Sequence, residues 1–274
     1  MAGKRALGRN VHFYHCSEPE RALGGMILSP SVTESNFLSM LSILIVASGP
    51  YRVTSRNTGE DLASTDSGLQ PCNYDIRPCS RRDTISITDE VCITRILSRI
   101  ITGRDDAFRS QVRERDGKCV ITGLVNTQAY RYSWTGFQVT HIFPLSSEEY
   151  FAEADERDTG INSCQNGLLM QSSIHALFDD FGFAVNPDDG YKITYGRILD
   201  PICRDASDIQ SARDELLRWH FRQAVLVNMR GAGEPSFETD FPPGTDMVGE
   251  IRSGPDAAKR MEAELFSRLH GSRT

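Results

Sequence analysis

Three stretches decide the fold. Val139-Thr140-His141-Ile142-Phe143-Pro144 comes first, then Ile161-Asn162-Ser163-Cys164-Gln165-Asn166-Gly167-Leu168-Leu169-Met170, then Ser172-Ser173-Ile174-His175-Ala176-Leu177-Phe178-Asp179-Asp180. The first is β-branched and aromatic and is closed by a proline, which supplies no N–H to a ladder, so His141 falls near a strand end. Ser172 or Ser173 is a good N-cap, and a short helix over Ile174 to Asp180 follows, with Leu177 and Phe178 on its buried side. His175 and Asp179 are four apart, which on a helix puts their Cβ atoms about 5–6 Å apart on one face, close enough to share a divalent cation.

Each of these residues also has a plainer reading. A lone histidine is more often structural than catalytic. Asn166-Gly167 is the strongest short signal for a hairpin turn. Asp179 is equally suited to capping its helix or pairing with an arginine.

Taken together, His141-Ile-x-Pro144, Asn166-Gly-Leu-Leu and His175-x-Leu-Phe-Asp179 resemble the HNH endonucleases, in the variety widespread among fungal proteins. The approach segment Arg115-Asp116-Gly117-Lys118-Cys119-Val120-Ile121-Thr122-Gly123 shares the resemblance. It implies an α+β fold with an HNH-type core, a β-hairpin and helix wrapped around one metal ion. It also implies metal-dependent hydrolysis of phosphodiester bonds in nucleic acid, DNA ahead of RNA. On that reading His141 is the general base, Asn166 braces the hairpin and orients the base, and His175 binds the metal, with Asp179 matching a second ligand position. His141 and His175 are then expected to converge. The ion would be Mg²⁺ or Mn²⁺, with Zn²⁺ as the lesser alternative.

Two departures from the family pattern matter. Thr140 stands where many HNH enzymes place an Asp or His ligand immediately before the first histidine. Cys119 is followed three positions later by Thr122, so no Cys-x-x-Cys knuckle forms there and a structural zinc is not expected. Two further readings therefore stay open: an HNH fold that binds without cleaving, and a nuclease-derived scaffold recruited to another reaction such as a step of secondary metabolism.

Outside the three stretches, the 274 residues with 39% apolar content suffice for a buried core in one large or two modest domains. The net charge of −7 gives no global reason to bind nucleic acid. Between Arg95 and Arg131, however, eight basic residues face four acidic ones, and Arg113, Arg115 and Lys118 are the candidate phosphate contacts. Seven irregularly spaced cysteines suggest reduced thiols in an intracellular protein. The N-terminus lacks the apolar core of a signal peptide, and Phe37 to Ala47 is too short to span a bilayer; no membrane partner is expected.

The layout read from these patterns is an N-terminal accessory α/β module over 1–100, the HNH-like core over 101–204, and C-terminal helices over 205–274. Asn10 to Tyr14 is strand-like, Gly24-Gly25 punctuates, and Met26 to Leu28 is a second strand candidate. Thr33 to Leu44 is a capped helix, and Ile43 to Ala47 is β-branched enough to turn into a strand. Tyr51 to Ser80 has the composition of turns and loops, apart from a short strand after Pro71. Arg104 to Asp116 is a helix stopped by Gly117, and Cys119 to Gly123 a short strand. Glu148 to Asp158 is helix or loop, and Phe183 to Tyr195 is a hairpin extending the core sheet. Ser207 to Arg230 is the strongest helix, with Trp219, His220 and Arg222 on it. Phe237 to Gly244 is a connector, and Pro255 to His270 a last helix.

Overall fold

The structure is a computed structural model describing residues 4–92, 103–144, 160–193, 196–205, 207–231, 233 and 249. The segments 148–158, 237–244 and 255–270 lie outside the described residues. The architecture is mixed α+β with small sheets and, among the described residues, four α-helices. The chain divides into two compact units, one of Met1–Cys92, Thr194–Gly196 and Arg222–Ala257, the other of Ile93–Ile193, Arg197–Phe221 and Ala258–Thr274.

The first unit contains strands β1 (Val11–His15) and β2 (Ala22–Met26), helix α1 (Glu34–Leu44), and strands β3 (Ile45–Ala47), β4 (Tyr51–Ser55), β5 (Asn73–Pro78) and β6 (Ile85–Ile87). One sheet has the order β2-β1-β5-β4, with β1 and β5 parallel, and β3 pairs with β6. Thr33 starts α1 through a capping box. Its hydroxyl accepts from the Asn36 N–H at 3.2 Å, and the Asn36 side chain accepts from the Thr33 N–H at 3.1 Å. The helix buries Phe37, Met40, Leu41 and Leu44, and Phe37 packs its ring against Phe13 and Tyr74.

Two expectations for this unit are corrected. Tyr51 to Ser55 is a strand rather than a loop, because Val53 is buried on β5, a partner 20 residues and more along the chain. Gly24 does not break the chain but lies inside β2, where a Cβ would come within 2.1 Å of the Met229 carbonyl and 2.5 Å of the Phe13 ring. There the glycine serves close approach, not a turn.

The second unit holds α2 (Gly103–Asp116), β7 (Phe137–His141), β8 (Gly167–Gln171), α3 (Ser172–Asp179), β9 (Val185–Asn186), β10 (Lys192–Ile193) and the first half of α4 (Asp214–Met229). Gly117, at φ 62°, ends α2 by donating to the Arg113 carbonyl at 3.0 Å. Cys119 to Gly123 is a tight reversal rather than a strand: the Gly123 N–H returns to the Cys119 carbonyl at 2.8 Å and φ at Gly123 is 76°. The Asn186 to Gly190 hairpin forms and Lys192 of β10 also bridges Ile198, but among the described residues neither β9 nor β10 extends β7-β8. Helix α4 starts at Asp214, later than Ser207, because the side chains of Asp205 and Asp208 capture nearby backbone N–H groups and hold that segment in turns. The core of this unit gathers Val120, Ile142, Phe143, Leu168, Met170, Phe178, Leu216 and Leu217. His220 is wholly buried in it, its ring stacked on Phe178 at 3.7 Å, and Trp219 lies 4.3 Å from the Phe143 ring.

Candidate active site

Strands β7 and β8 pair antiparallel, with Phe137 opposite Gln171 and His141 opposite Gly167. Side chains alternate along a strand, so Phe137, Val139 and His141 point to one face of the ribbon and Gln138 and Thr140 to the other. Helix α2 covers the first face with Phe108 and Val112. Helix α3 covers the second, with hydrogen bonds from His175 to Gln138 and from Thr140 to Asp179. His141 and the His175–Asp179 pair therefore lie on opposite faces of the ribbon rather than side by side, and any group that meets both must sit at the β7 end, where Thr140 and His141 are successive residues.

The His141 ring is fixed twice. It stacks on Phe108 with centroids 4.1 Å apart and planes 18° apart, and its Nε2 lies 3.1 Å from the Asn162 side-chain oxygen. Asn166 is fully buried and ties down the chain just beyond His141. Its oxygen accepts from the Phe143 N–H at 2.7 Å, and its Nδ2 donates to the carbonyls of Phe143 at 3.1 Å and Ile161 at 2.9 Å. Its backbone carbonyl accepts from the Ile142 N–H at 2.8 Å. The two segments flanking the strand end are thus sewn together by one side chain.

Gly167 is not a turn residue, as an Asn-Gly pair would suggest, because its φ of −130° is extended. It is small because α2 presses on it: a Cβ would meet Val112 at 2.6 Å and Phe108 at 2.7 Å. Gly167→Ala is accordingly expected to cost about 1–3 kcal/mol, read as a lower urea midpoint. An unchanged midpoint would show that α2 yields without strain.

On the other face, His175 Nδ1 lies 2.6 Å from the Gln138 amide oxygen and its Nε2 lies 2.9 Å from Asp179 Oδ2. The Thr140 hydroxyl, on a residue 2% exposed, reaches Asp179 Oδ1 at 3.4 Å. As it stands the 2.9 Å contact is a hydrogen bond from Nε2–H to Asp179; with Nδ1–H donated to Gln138, replacing that proton by a cation would turn the Nε2 lone pair onto it, the arrangement that orients a metal-ligating imidazole. Adjacent ligands of an octahedral ion held at about 2.1 Å stand roughly 3 Å apart, so the Nε2–Oδ2 separation suits a shared hard cation. Among the described residues no cluster of three or more His, Cys, Asp and Glu side chains surrounds a common point. Among the described residues the charged or imidazole donors here are His175 and Asp179.

The three basic candidates separate. Arg115 is buried and structural: its guanidinium grips Asp116 at 2.6 and 3.1 Å and donates to the carbonyls of Cys164, Gly167 and Gln210. It corrects the expectation of a phosphate contact, for no donor face is left toward solvent on a side chain only 2% exposed. Lys118 pairs with Asp200 at 2.7 Å. Against the cost of partial burial, Lys118, the Ile202 N–H and Arg204 hold the Asp200 carboxyl below its ordinary value. Arg113 lies over the Trp134 ring at 4.8 Å, and burial followed by the neighbouring Arg109 depresses its pKa.

Asn162 and Gln138 were not singled out by sequence, and Phe108 only as part of the apolar face of the helix over 104–116, not as a partner of His141. Gln138 had a signal, since period two puts it beside Thr140. The contacts of Asn162 and Phe108 with His141 had none, because those partners are 21 and 33 positions away.

Residues 8–82 match a family described only as a domain of unknown function (DUF8573). No curated protein and no solved structure matches the chain. The segment carrying β7, β8, α3 and β9 is similar, over residues 119–186, to the family described as HNH endonuclease.

Proposed function

We propose that the second unit is a metal-dependent HNH-type nuclease core hydrolysing phosphodiester bonds, with DNA ahead of RNA as substrate. The observation that carries this reading is the His175 imidazole, held at Nδ1 by Gln138 and set with Nε2 2.9 Å from Asp179. His175 and Asp179 would hold the divalent ion. When bound, the ion supplies Lewis-acid polarisation of the scissile phosphate and charge stabilisation at the leaving oxygen.

The chain's own groups account for the rest. His141 takes the proton of the attacking water. In the tautomer that donates Nε2–H to Asn162, Nδ1 is the basic nitrogen. Phe108 holds the ring plane against rotation, and Asn166 keeps the strand end from opening. Arg113 and Lys118 are the remaining candidates for phosphate contacts. Binding without hydrolysis is a second reading, favoured by Thr140, whose neutral hydroxyl stands where a charged ligand would strengthen the hold on the ion.

The test is incubation of plasmid and single-stranded substrates with the full chain across a panel of divalent metals. Metal-dependent cleavage abolished by His175→Ala supports the nuclease; binding without cleavage under every metal supports the second reading. Calorimetry addresses the ion itself. Weak binding is expected without nucleic acid, weaker still in Asp179→Ala, and tighter in Thr140→Asp, which adds a carboxylate facing Asp179. If Asp179→Ala binds as well as wild type and Thr140→Asp adds nothing, the ion is held elsewhere.

A further inference from the structure

The loop that leads into β7 displays aromatic rings to solvent. Tyr130 is 70% and Tyr132 91% exposed, and Leu124 and Val125 nearby are about half exposed. Four of the twelve exposed large apolar side chains among the described residues thus fall within nine positions, a concentration beyond the scattered singles normal on a surface. The loop is not slack. Buried Asn126 donates to the Ser133 carbonyl at 2.8 Å and accepts from the Gln128 N–H at 3.0 Å. The N–H groups of Arg131 and Tyr132 return to Gln128 and Ala129 at 3.0 and 2.9 Å.

Tyr132 also has φ 57°, the left-handed region that glycine fills more easily. A large ring is thus kept where the backbone disfavours it and where it packs on nothing in the core. Guanidinium groups stand against the rings: Arg131 over Tyr130 at 5.1 Å and Arg113 over Trp134 at 4.8 Å. Rigid, outward aromatics interleaved with arginines form the stacking platform used for unpaired bases, where rings meet base faces and cations meet the backbone.

We infer that Tyr130, Arg131, Tyr132 and Arg113 form a stacking site for the unpaired bases of a nucleic-acid strand. The inference rests on the nuclease reading for its choice of partner. The loop enters β7 at Phe137, and four residues at about 3.3 Å each lead to His141. The stacked bases would therefore lie a few nucleotides from the bond that is cut, and the site would favour single-stranded or frayed substrate over closed duplex.

The experiment measures fluorescence anisotropy of a labelled oligothymidylate and of a duplex of equal length, with the full chain in EDTA so that nothing is cut. Wild type is expected to bind the single strand more tightly. Tyr132→Ala and Tyr130→Ala should each weaken it about tenfold or more, with duplex affinity little changed, and Tyr132→Phe should restore it because the ring face is kept. Tyr132→Gly removes the ring and relaxes the backbone, so it should melt no lower than wild type while binding as poorly as the alanine variant. Equal single-strand affinity in wild type, Tyr132→Gly and Tyr130→Ala would overturn the inference, and so would equal losses for single strand and duplex. Its failure is distinguishable from that of the nuclease reading, since metal-dependent cleavage abolished by His175→Ala would persist in the first case. Tyrosine-dependent strand binding would persist in the second.

Discussion

His141→Ala is expected to lower cleavage by about 10²–10⁴-fold, the usual contribution of a positioned general base, while the fold stays intact. The ring is half-buried at the end of β7, stacked on the Phe108 face and in reach of Asn162, so its removal trims contacts at the strand end without opening the core. Metal binding should be unchanged, because the His175–Asp179 pair lies on the opposite face of the ribbon. The measurement is a single-turnover cleavage rate beside a calorimetric metal titration of the same variant. High concentrations of imidazole should recover part of the rate by entering the space the ring vacates. A variant cutting at the wild-type rate would show that another group activates the water.

The second large effect is structural. Arg115→Ala is expected to cost about 3–5 kcal/mol, because it leaves Asp116 as an uncompensated buried charge and strips a donor from the carbonyls of Cys164, Gly167 and Gln210. The loss would appear as a fall in melting temperature and urea midpoint. Asp116 is tied into the same knot, since its Oδ2 accepts from the Leu169 N–H of β8 at 2.8 Å. Arg115→Met is expected to be nearly as damaging for the same reason. Were Arg115 a phosphate contact instead, either variant would keep its stability and lose affinity with a smaller salt slope. That pattern would return Arg115 to the nucleic-acid surface.

The sequence by itself determined what depends on neighbours in the chain. Residue spacing and stop signals were enough for α2 with its Gly117 end, for α1 with its Thr33 cap, and for the stacking of His175 on Asp179 four residues later. The order His, Asn, His was legible because each residue sits beside its own local marker, Pro144, Gly167 or Ser172.

Tertiary structure alone decided what depends on distant partners. Arg115 reads as a surface cation in a charged helix, and only the arrival of Cys164, Gly167 and Gln210, up to 95 positions away, turns it into a buried clamp. Gly24 and Gly167 read as turn residues, yet each is small because another segment packs against it. Tyr51 to Ser55 has no strong strand signal until β5 pairs with it. His141 and His175 look bound to converge in one dimension. The two-residue alternation of β7, with α2 on one face and α3 on the other, places them on either side of the ribbon, because a strand can present successive residues only to opposite faces.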